Sequence, residues 1–350
     1  MNILRRTIRE NRGYNYLEAA KRLFDRKPLQ CSLYVTDQCN LDCSYCTEYD
    51  NSRPHPKTED LEEWLRKIRR LGTTRIALVG GEPLMHPDIV DLVRYCRELG
   101  FATSLTTNGF LLTPRLVDAL GDAGLQVMQI SVDRMTPSPI TRKSFKTILP
   151  KLDYFTRSPI NLHLTGVICE DTLGESRAVL DTGLKKGIPT EIRLVHADQT
   201  NRFRVERGKR AELEELLVQM IAQKSRGAKI HTSDVILRYQ LDLIRQKETD
   251  WICTAGYKIF FVSTEGMFWL CSAKPTDKHI LDVSLEDLHK NYRKKSCQAG
   301  CGIYCAVSTS MIYAQPFQVI GREVASRVRR AFTAHQDREP AAPHSVTESR

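Results

Sequence analysis

The chain has 350 residues, 41% hydrophobic and 27% charged, and its 52 Lys and Arg against 42 Asp and Glu give a formal charge of +10. That length exceeds one ordinary domain, and the composition excludes a peptide-sized scaffold, a collagen-like chain and a disordered one. No apolar run approaches the ~18 residues of a membrane span, and Arg5, Arg6, Arg9 and Arg12 stand where a signal peptide carries its apolar region, so a cytoplasmic location is expected. Much of the charge is local, since residues 1–30 hold eight Lys or Arg against three acids. It favours anionic partners without naming one, and no aromatic-interleaved basic stripe points to dedicated nucleic-acid binding.

In chain order, residues 1–30 form a basic helical segment with Leu17, Ala20, Leu23 and Phe24 on one face. CSLYVT (31–36) reads as a strand, and residues 58–71 as a helix with Leu61, Leu65 and Ile68 on one face. The pattern repeats with strands at 75–80, 101–107, 127–133, 160–168 and 190–196, and with helices at 88–99, 114–122, 141–155 and 173–186. Parallel neighbours need crossover helices, so these units predict an α/β fold with a parallel sheet over residues 31–205. Six strands are fewer than the eight of a closed barrel, which predicts a partial (β/α)6 barrel.

A charged helical bridge is predicted over 206–250. Next, IFFV (259–262), the turn STEG and MFWLC (267–271) read as a β-hairpin, followed by a helix over 284–294. Together they predict a small C-terminal β-hairpin/α module over 251–308. Ile320, Val324, Val328 and Phe332 recur at helical spacing in a basic amphipathic segment over 309–334, and residues 335–350 have the composition of a disordered tail. Both terminal segments are expected to close the barrel; a second reading rests them on a membrane surface, which suits a lipid substrate.

Eleven cysteines without an export signal point away from disulfides and towards metal binding or chemistry. Cys31, Cys96 and Cys169 lie singly in apolar surroundings and read as small buried hydrophobes. The other eight cluster. Cys39, Cys43 and Cys46 form a C-x3-C-x2-C loop directly after the first strand. Three thiolates can hold three irons of a [4Fe–4S] cluster, leaving the fourth iron open to a chelating substrate. A structural zinc would want a fourth Cys or His, and none lies in the loop.

With Tyr45 as the aromatic residue of C-x3-C-x-aromatic-C, this loop resembles the signature of the radical S-adenosylmethionine (SAM) superfamily. Gly80, Gly81, Glu82 and Pro83 resemble that family's GGEP segment, which contacts the SAM amino group. Thr106-Thr107-Asn108-Gly109 and Ser131-Val132-Asp133 resemble segments that approach the SAM ribose or the substrate. Arg193 stands where relatives often place a polar contact to SAM; a surface salt bridge is the competing reading. All of these lie at C-terminal ends of predicted strands, the face where such folds assemble sites. The resemblance covers roughly residues 30–200. It implies one-electron reduction of SAM by the cluster, hydrogen abstraction by a 5′-deoxyadenosyl radical, and a reductant such as flavodoxin or ferredoxin.

Cys253-x12-Gly266-x4-Cys271 with Cys297, Cys301 and Cys305 resembles the auxiliary-cluster modules of such enzymes, the SPASM and twitch domains. A full SPASM module has seven cysteines; the five here suffice for one auxiliary [4Fe–4S] cluster with one thiolate to spare, and which of the last three is spare stays open. A structural zinc site is the competing reading. The expected substrate is a peptide or a small metabolite. Only thirty residues precede the first strand, so a leader-peptide-binding domain is expected on a separate partner. A non-catalytic iron–sulfur electron-transfer or sensing protein is the alternative, but it has no use for a SAM cradle.

Overall fold

A computed structural model of the chain describes residues 25–195, 205, 207–249, 251–298, 300–318, 321, 322 and 325. Leu17, Ala20, Leu23, Phe24, Ile320, Val324, Val328 and Phe332, and the tail from 335, lie outside the described residues. The elements are β1 (Gln30–Thr36), α1 (Thr58–Arg70), β2 (Arg75–Gly80), α2 (Ile89–Glu98), β3 (Ala102–Thr107), α3 (Pro114–Ala123), β4 (Val127–Ser131), α4 (Phe145–Ile148), β5 (Asn161–Ile168), α5 (Leu173–Lys185), β6 (Thr190–Leu194), α6 (Arg210–Ser225), α7 (Asp234–Ile244), β7 (Ile259–Val262), β8 (Met267–Cys271), β9 (Lys274–His279), α8 (Leu285–Lys290) and α9 (Tyr304–Ala314). Among the described residues, no helix is long and apolar enough to cross a membrane.

One nine-stranded sheet runs in the order β6-β5-β4-β3-β2-β1-β7-β8-β9. The six predicted strands pair in parallel and in sequence order, and the sheet stays open at β6 and β9, so the fold is α/β with an unclosed barrel. The predicted hairpin does not stand apart. β7 pairs in parallel with β1, from Gln30 opposite Ile259 to Leu33 opposite Val262, and β8 and β9 continue antiparallel.

Helix α1 forms where Leu61, Trp64, Leu65 and Ile68 share a buried face, with acids in its first turn and Lys67, Arg69 and Arg70 in its last, as the helix dipole favours. On the outer face of the sheet, Leu33, Leu78, Leu105, Ile130 and Leu164 are fully buried under the helices. The inner face differs along its width. At β1, β2, β7 and β8 it is apolar, where Tyr34, Val79, Ile259, Phe261 and Trp269 pack with α7 and α9. Towards β6 it becomes polar, because Ser104, Thr106, Gln129, Ser131, His163, Thr165, Glu191 and Arg193 alternate with the outward-facing apolar residues.

Three local expectations shift, and one strand is added. The helix predicted over 141–155 is the short α4 followed by a 3-10 turn over Leu149–Phe155, because Pro150 cannot donate a helical hydrogen bond. The bridge breaks into α6 and α7, with Gly227 at φ 97° after the first and the Ser233 hydroxyl accepting from the Ile236 N–H at the start of the second. Helix α9 begins at Tyr304, ahead of the predicted 309, and takes Cys305 into its first turn. Strand β9, KPTDKH, has no apolar alternation because it is a solvent-facing edge, where Lys and Pro are at home.

Phe260 on β7 is fully buried against Phe268, with ring centroids 5.6 Å apart. Phe260→Ala should cost about 3–5 kcal/mol of unfolding free energy, with tryptophan fluorescence and far-UV circular dichroism still tracing one coincident denaturant transition. An early, separate fluorescence transition would mean that the hairpin unfolds independently of the barrel sheet.

Candidate active site at the strand ends

The loop after β1 carries Cys39, Cys43 and Cys46, and all three line one cavity of about 150 Å3 together with Gly80 and Gly81 after β2, Thr106, Thr107 and Asn108 at the end of β3, and Ser131 at the end of β4. Segments separated by some 90 residues therefore meet at one point. Glu48, Tyr49 and Lys143 complete the polar and aromatic part of the wall. Tyr45, Glu82, Pro83, Asp133 and Arg193 are not among the lining residues.

Gly80 and Gly81 are required by the approach of the cysteine loop. The Gly81 N–H donates to the Thr36 carbonyl at 2.9 Å and the Glu82 N–H to the Gln38 carbonyl at 2.8 Å, which pins the loop to the end of β2. A Cβ on Gly80 would stand 2.1 Å from the Thr36 oxygen, and one on Gly81 2.3 Å from the Gln38 oxygen; Gly80 also holds φ at 133°. Glu82 lies fully buried behind this turn. Its carboxylate accepts from the Thr107 hydroxyl at 2.6 Å, the Asn108 N–H at 2.7 Å and the Leu84 N–H at 3.1 Å. Burial pushes its pKa up, against those hydrogen bonds. The Asn108 side chain, held in this way, donates to Asn40 Oδ1 at 2.7 Å and approaches Cys39 Sγ at 3.9 Å.

Tyr45 and Asp133 form the other half of the support. Asp133 is buried, and its carboxylate accepts a short hydrogen bond from the Tyr45 hydroxyl, one from Thr141 Oγ1 at 3.0 Å and one from the Val167 N–H at 3.0 Å. Thr141 Oγ1 also lies 3.4 Å from Cys43 Sγ. Lys143 Nζ donates to the Tyr45 hydroxyl at 3.2 Å. Burial works to lower the Lys143 pKa, but Tyr45, Asp133, Cys43 and Cys46 outweigh it and hold the ammonium charged. No motif marks Lys143: it falls at the start of the helix predicted over 141–155, but the helix begins only at Phe145, and the return of the preceding loop to the cysteines brings Lys143 to the cavity.

In the C-terminal module, Cys271 ends β8, Cys253 and Cys301 are buried, Cys297 is exposed and Cys305 is half-buried in the first turn of α9. Gly266 turns the hairpin at φ 75° as its spacing predicts; a Cβ there would stand 2.2 Å from His279. Burial and the neighbouring thiols Cys253, Cys271 and Cys297 push the Cys301 thiol up to about 11. Burial pushes Cys305 up to about 12, but its leading charged neighbour is Arg193, which works in the opposite direction. Among the described residues, no three His, Cys, Asp or Glu side chains converge as ligands of a single metal ion would. Arg193 lies away from the cavity, paired with the fully buried Glu191 and with its guanidinium 4.1 Å over the Tyr304 ring.

Residues 33–181 match the Radical SAM superfamily. This stretch is a radical SAM domain. Molybdenum cofactor biosynthesis protein 1 of Bos taurus is 31% identical over 186 residues, which cover 49% of this chain and 29% of that protein. PqqA peptide cyclase of Rhodopseudomonas palustris is 36% identical over 107 residues, 30% of this chain and 28% of that protein. The chain thus spans under a third of the length of these relatives. The fold is similar to native anSMEcpe with bound AdoMet, with a TM-score of 0.60 at 16% identity over 86% of this chain and 100% of that one. It is similar also to Streptococcus suis SuiB bound to precursor peptide SuiA, with a TM-score of 0.59 at 18% identity over 83% of this chain and 73% of that one.

Asp133→Ala strands a buried hydroxyl pair and the Val167 N–H, and should cost about 2–4 kcal/mol by denaturant titration. Asp133→Asn keeps one acceptor oxygen and should cost about half as much. Equal losses would mean that the carboxylate's hydrogen bonds contribute nothing beyond its volume.

Proposed function

We propose that the protein is a radical SAM enzyme in which Cys39, Cys43 and Cys46 hold a [4Fe–4S] cluster, the adjoining cavity takes SAM, and the C-terminal cysteines hold an auxiliary [4Fe–4S] cluster. One observation carries this reading: three thiols open onto a single cavity whose wall also takes in the ends of β2, β3 and β4. The residues fit such a cluster. Their sulfurs do not converge on one ion, Asn108 and Thr141 bring polar groups to two of them, and the side-chain-free Gly80–Gly81 turn leaves room beside them. When bound, the cluster supplies one electron for reductive cleavage of SAM, whose 5′-deoxyadenosyl radical takes a hydrogen atom from the substrate.

The chain's own groups bind and orient. Three thiolates leave one iron for the amino-acid end of SAM, and Lys143 offers that end's carboxylate a charged donor. Ser131, Thr106 and the Asn108 side chain supply neutral hydrogen-bonding groups on the same wall. Glu82 is a positioning residue: it fixes Asn108 through the N–H it accepts. Four of Cys253, Cys271, Cys297, Cys301 and Cys305 are the auxiliary ligands, and Cys305, in the first turn of α9, also neighbours Arg193. The substrate is a peptide or small metabolite, and a flavodoxin or ferredoxin serves as reductant.

Reconstituted anaerobically, the protein should carry about eight irons as two clusters. Alanine at Cys39, Cys43 and Cys46 together should leave about half of that iron and abolish dithionite-dependent 5′-deoxyadenosine formation from SAM. Unchanged iron in that triple variant rejects the assignment.

The Cys253→Ala, Cys271→Ala variant should lose the other half of the iron while slow 5′-deoxyadenosine formation continues. A structural metal contributes its binding energy to folding. A thermal midpoint that collapses together with SAM cleavage, or zinc in the purified module, would replace the auxiliary cluster by a structural site.

A further inference from the structure

The inner face of β4–β6 carries buried ionisable groups that the cluster and SAM leave unused. Register places them side by side: Gln129 lies opposite His163, Ser131 opposite Thr165, Thr165 opposite Glu191, and Val167 opposite Arg193. Partners across a parallel ladder point to the same face, so Gln129, His163, Glu191 and Arg193 extend the wall that begins at Ser131 in the cavity. We propose that this wall is a substrate subsite for an oxyanion, a carboxylate or a phosphate, with the Arg193 guanidinium as its binding group. The proposal rests on the radical SAM reading for the presence of a substrate, and adds to it the substrate's charge and chemical class.

Arg193 is held by Glu191, Gln129 and Tyr304 and stays partly exposed. Its Nη2 donates to Glu191 Oε1 and to Gln129 Oε1, the latter at 3.2 Å, while the Tyr304 ring lies 4.1 Å beneath the guanidinium. Glu191 is fully buried, and its other oxygen accepts from the Thr232 hydroxyl at 3.5 Å, so it is anchored from behind. Nε of Arg193 is buried with no hydrogen-bond partner among the described residues, yet 24% of the side chain is exposed. A buried guanidinium N–H without an acceptor is costly, and the flat fork of guanidinium donors matches the two oxygens of a carboxylate or phosphate.

Next to it, His163 stacks on His231 with centroids 4.3 Å apart and planes 9° from parallel, and shares Gln129 Oε1 at 3.0 Å. Burial, His231 and Arg193 keep His163 neutral. The subsite therefore has one cation, largely offset at long range by Glu191, and its affinity comes from directed hydrogen bonds. SAM's own carboxylate is the less suitable occupant, because the cavity beside the cysteine loop is lined by the charged Lys143 and not by Arg193.

The test uses the full chain, anaerobically reconstituted, with N-acetyl-L-glutamate and inorganic phosphate as probes at matched ionic strength. Calorimetric titration and the rise of the thermal midpoint are both read. At least one probe should bind, and Arg193→Gln should weaken it about tenfold, the scale of one charge-assisted pair. Arg193→Lys should recover only part of the loss, since the fork is gone. Tighter N-acetyl-L-glutamate identifies a carboxylate substrate, and tighter phosphate a phosphate ester. If Arg193→Gln fails to fold with Glu191 left unpaired, the same loss is read in Glu191→Gln, Arg193→Gln, which removes both charges. Binding of neither probe, or equal binding by wild type and the Gln variants, overturns the subsite. So does a comparable loss of SAM affinity in Arg193→Gln, which would make Arg193 a SAM contact. SAM binding and 5′-deoxyadenosine formation by wild type test the enzyme reading separately.

Discussion

Asp133 lies buried two residues beyond β4, and its two oxygens accept from three segments that are distant in sequence: Tyr45 in the cysteine loop, Thr141 in the loop that returns from β4, and the Val167 N–H on β5. Desolvating a carboxylate is expensive unless such donors meet it. The cost is offset only when all three segments are in place, so one buried group couples the placement of the cysteine loop to the closure of the barrel wall. Lys143 joins from the same return loop and brings its charge to the thiols. The loop that would hold a cluster is thus clamped by the protein's own packing and hydrogen bonds.

A second clamp works from the opposite side. The cysteine loop comes so close to the end of β2 that two successive residues can have no Cβ, and Glu82 immediately beyond them reaches across to the end of β3. Three strand ends are then tied into one wall, β1 to β2 by the backbone N–H groups of Gly81 and Glu82 and β2 to β3 by the Glu82 side chain. This explains why the GGEP segment carries a carboxylate that does not itself face the cavity.

The pairing of β7 with β1 makes the hairpin bearing Cys271 an extension of the barrel sheet. Tyr34 on β1 packs against Phe261 on β7 and Trp269 on β8, with ring centroids 6.3 and 5.6 Å away, and its hydroxyl donates to Glu48 two residues past Cys46. The apolar half of the concave face therefore lies between the two cysteine groups, and the polar half runs from Ser131 to Arg193. Aromatic packing on one half and ionisable groups on the other give this surface a direction.

Much of this was legible in the sequence. Six alternating β-branched and helical-period segments determined a parallel sheet, because the periods of two and of 3.6 are local properties of the backbone. The spacing of Cys39, Cys43 and Cys46, and the positions of Gly80, Gly81, Asn108 and Ser131 at strand ends, already collected the cavity wall. Tertiary structure alone decided what depends on residues remote in the chain. Tyr45 meets Asp133 across 88 residues, Arg193 turns from the cavity to Tyr304 on α9, and the exposed strand β9 has no apolar period to announce it. Lys143 and the Gln129–His163–Arg193 wall carry no motif either. Their partners are set by register and loop return, and those become fixed only when the whole sheet packs.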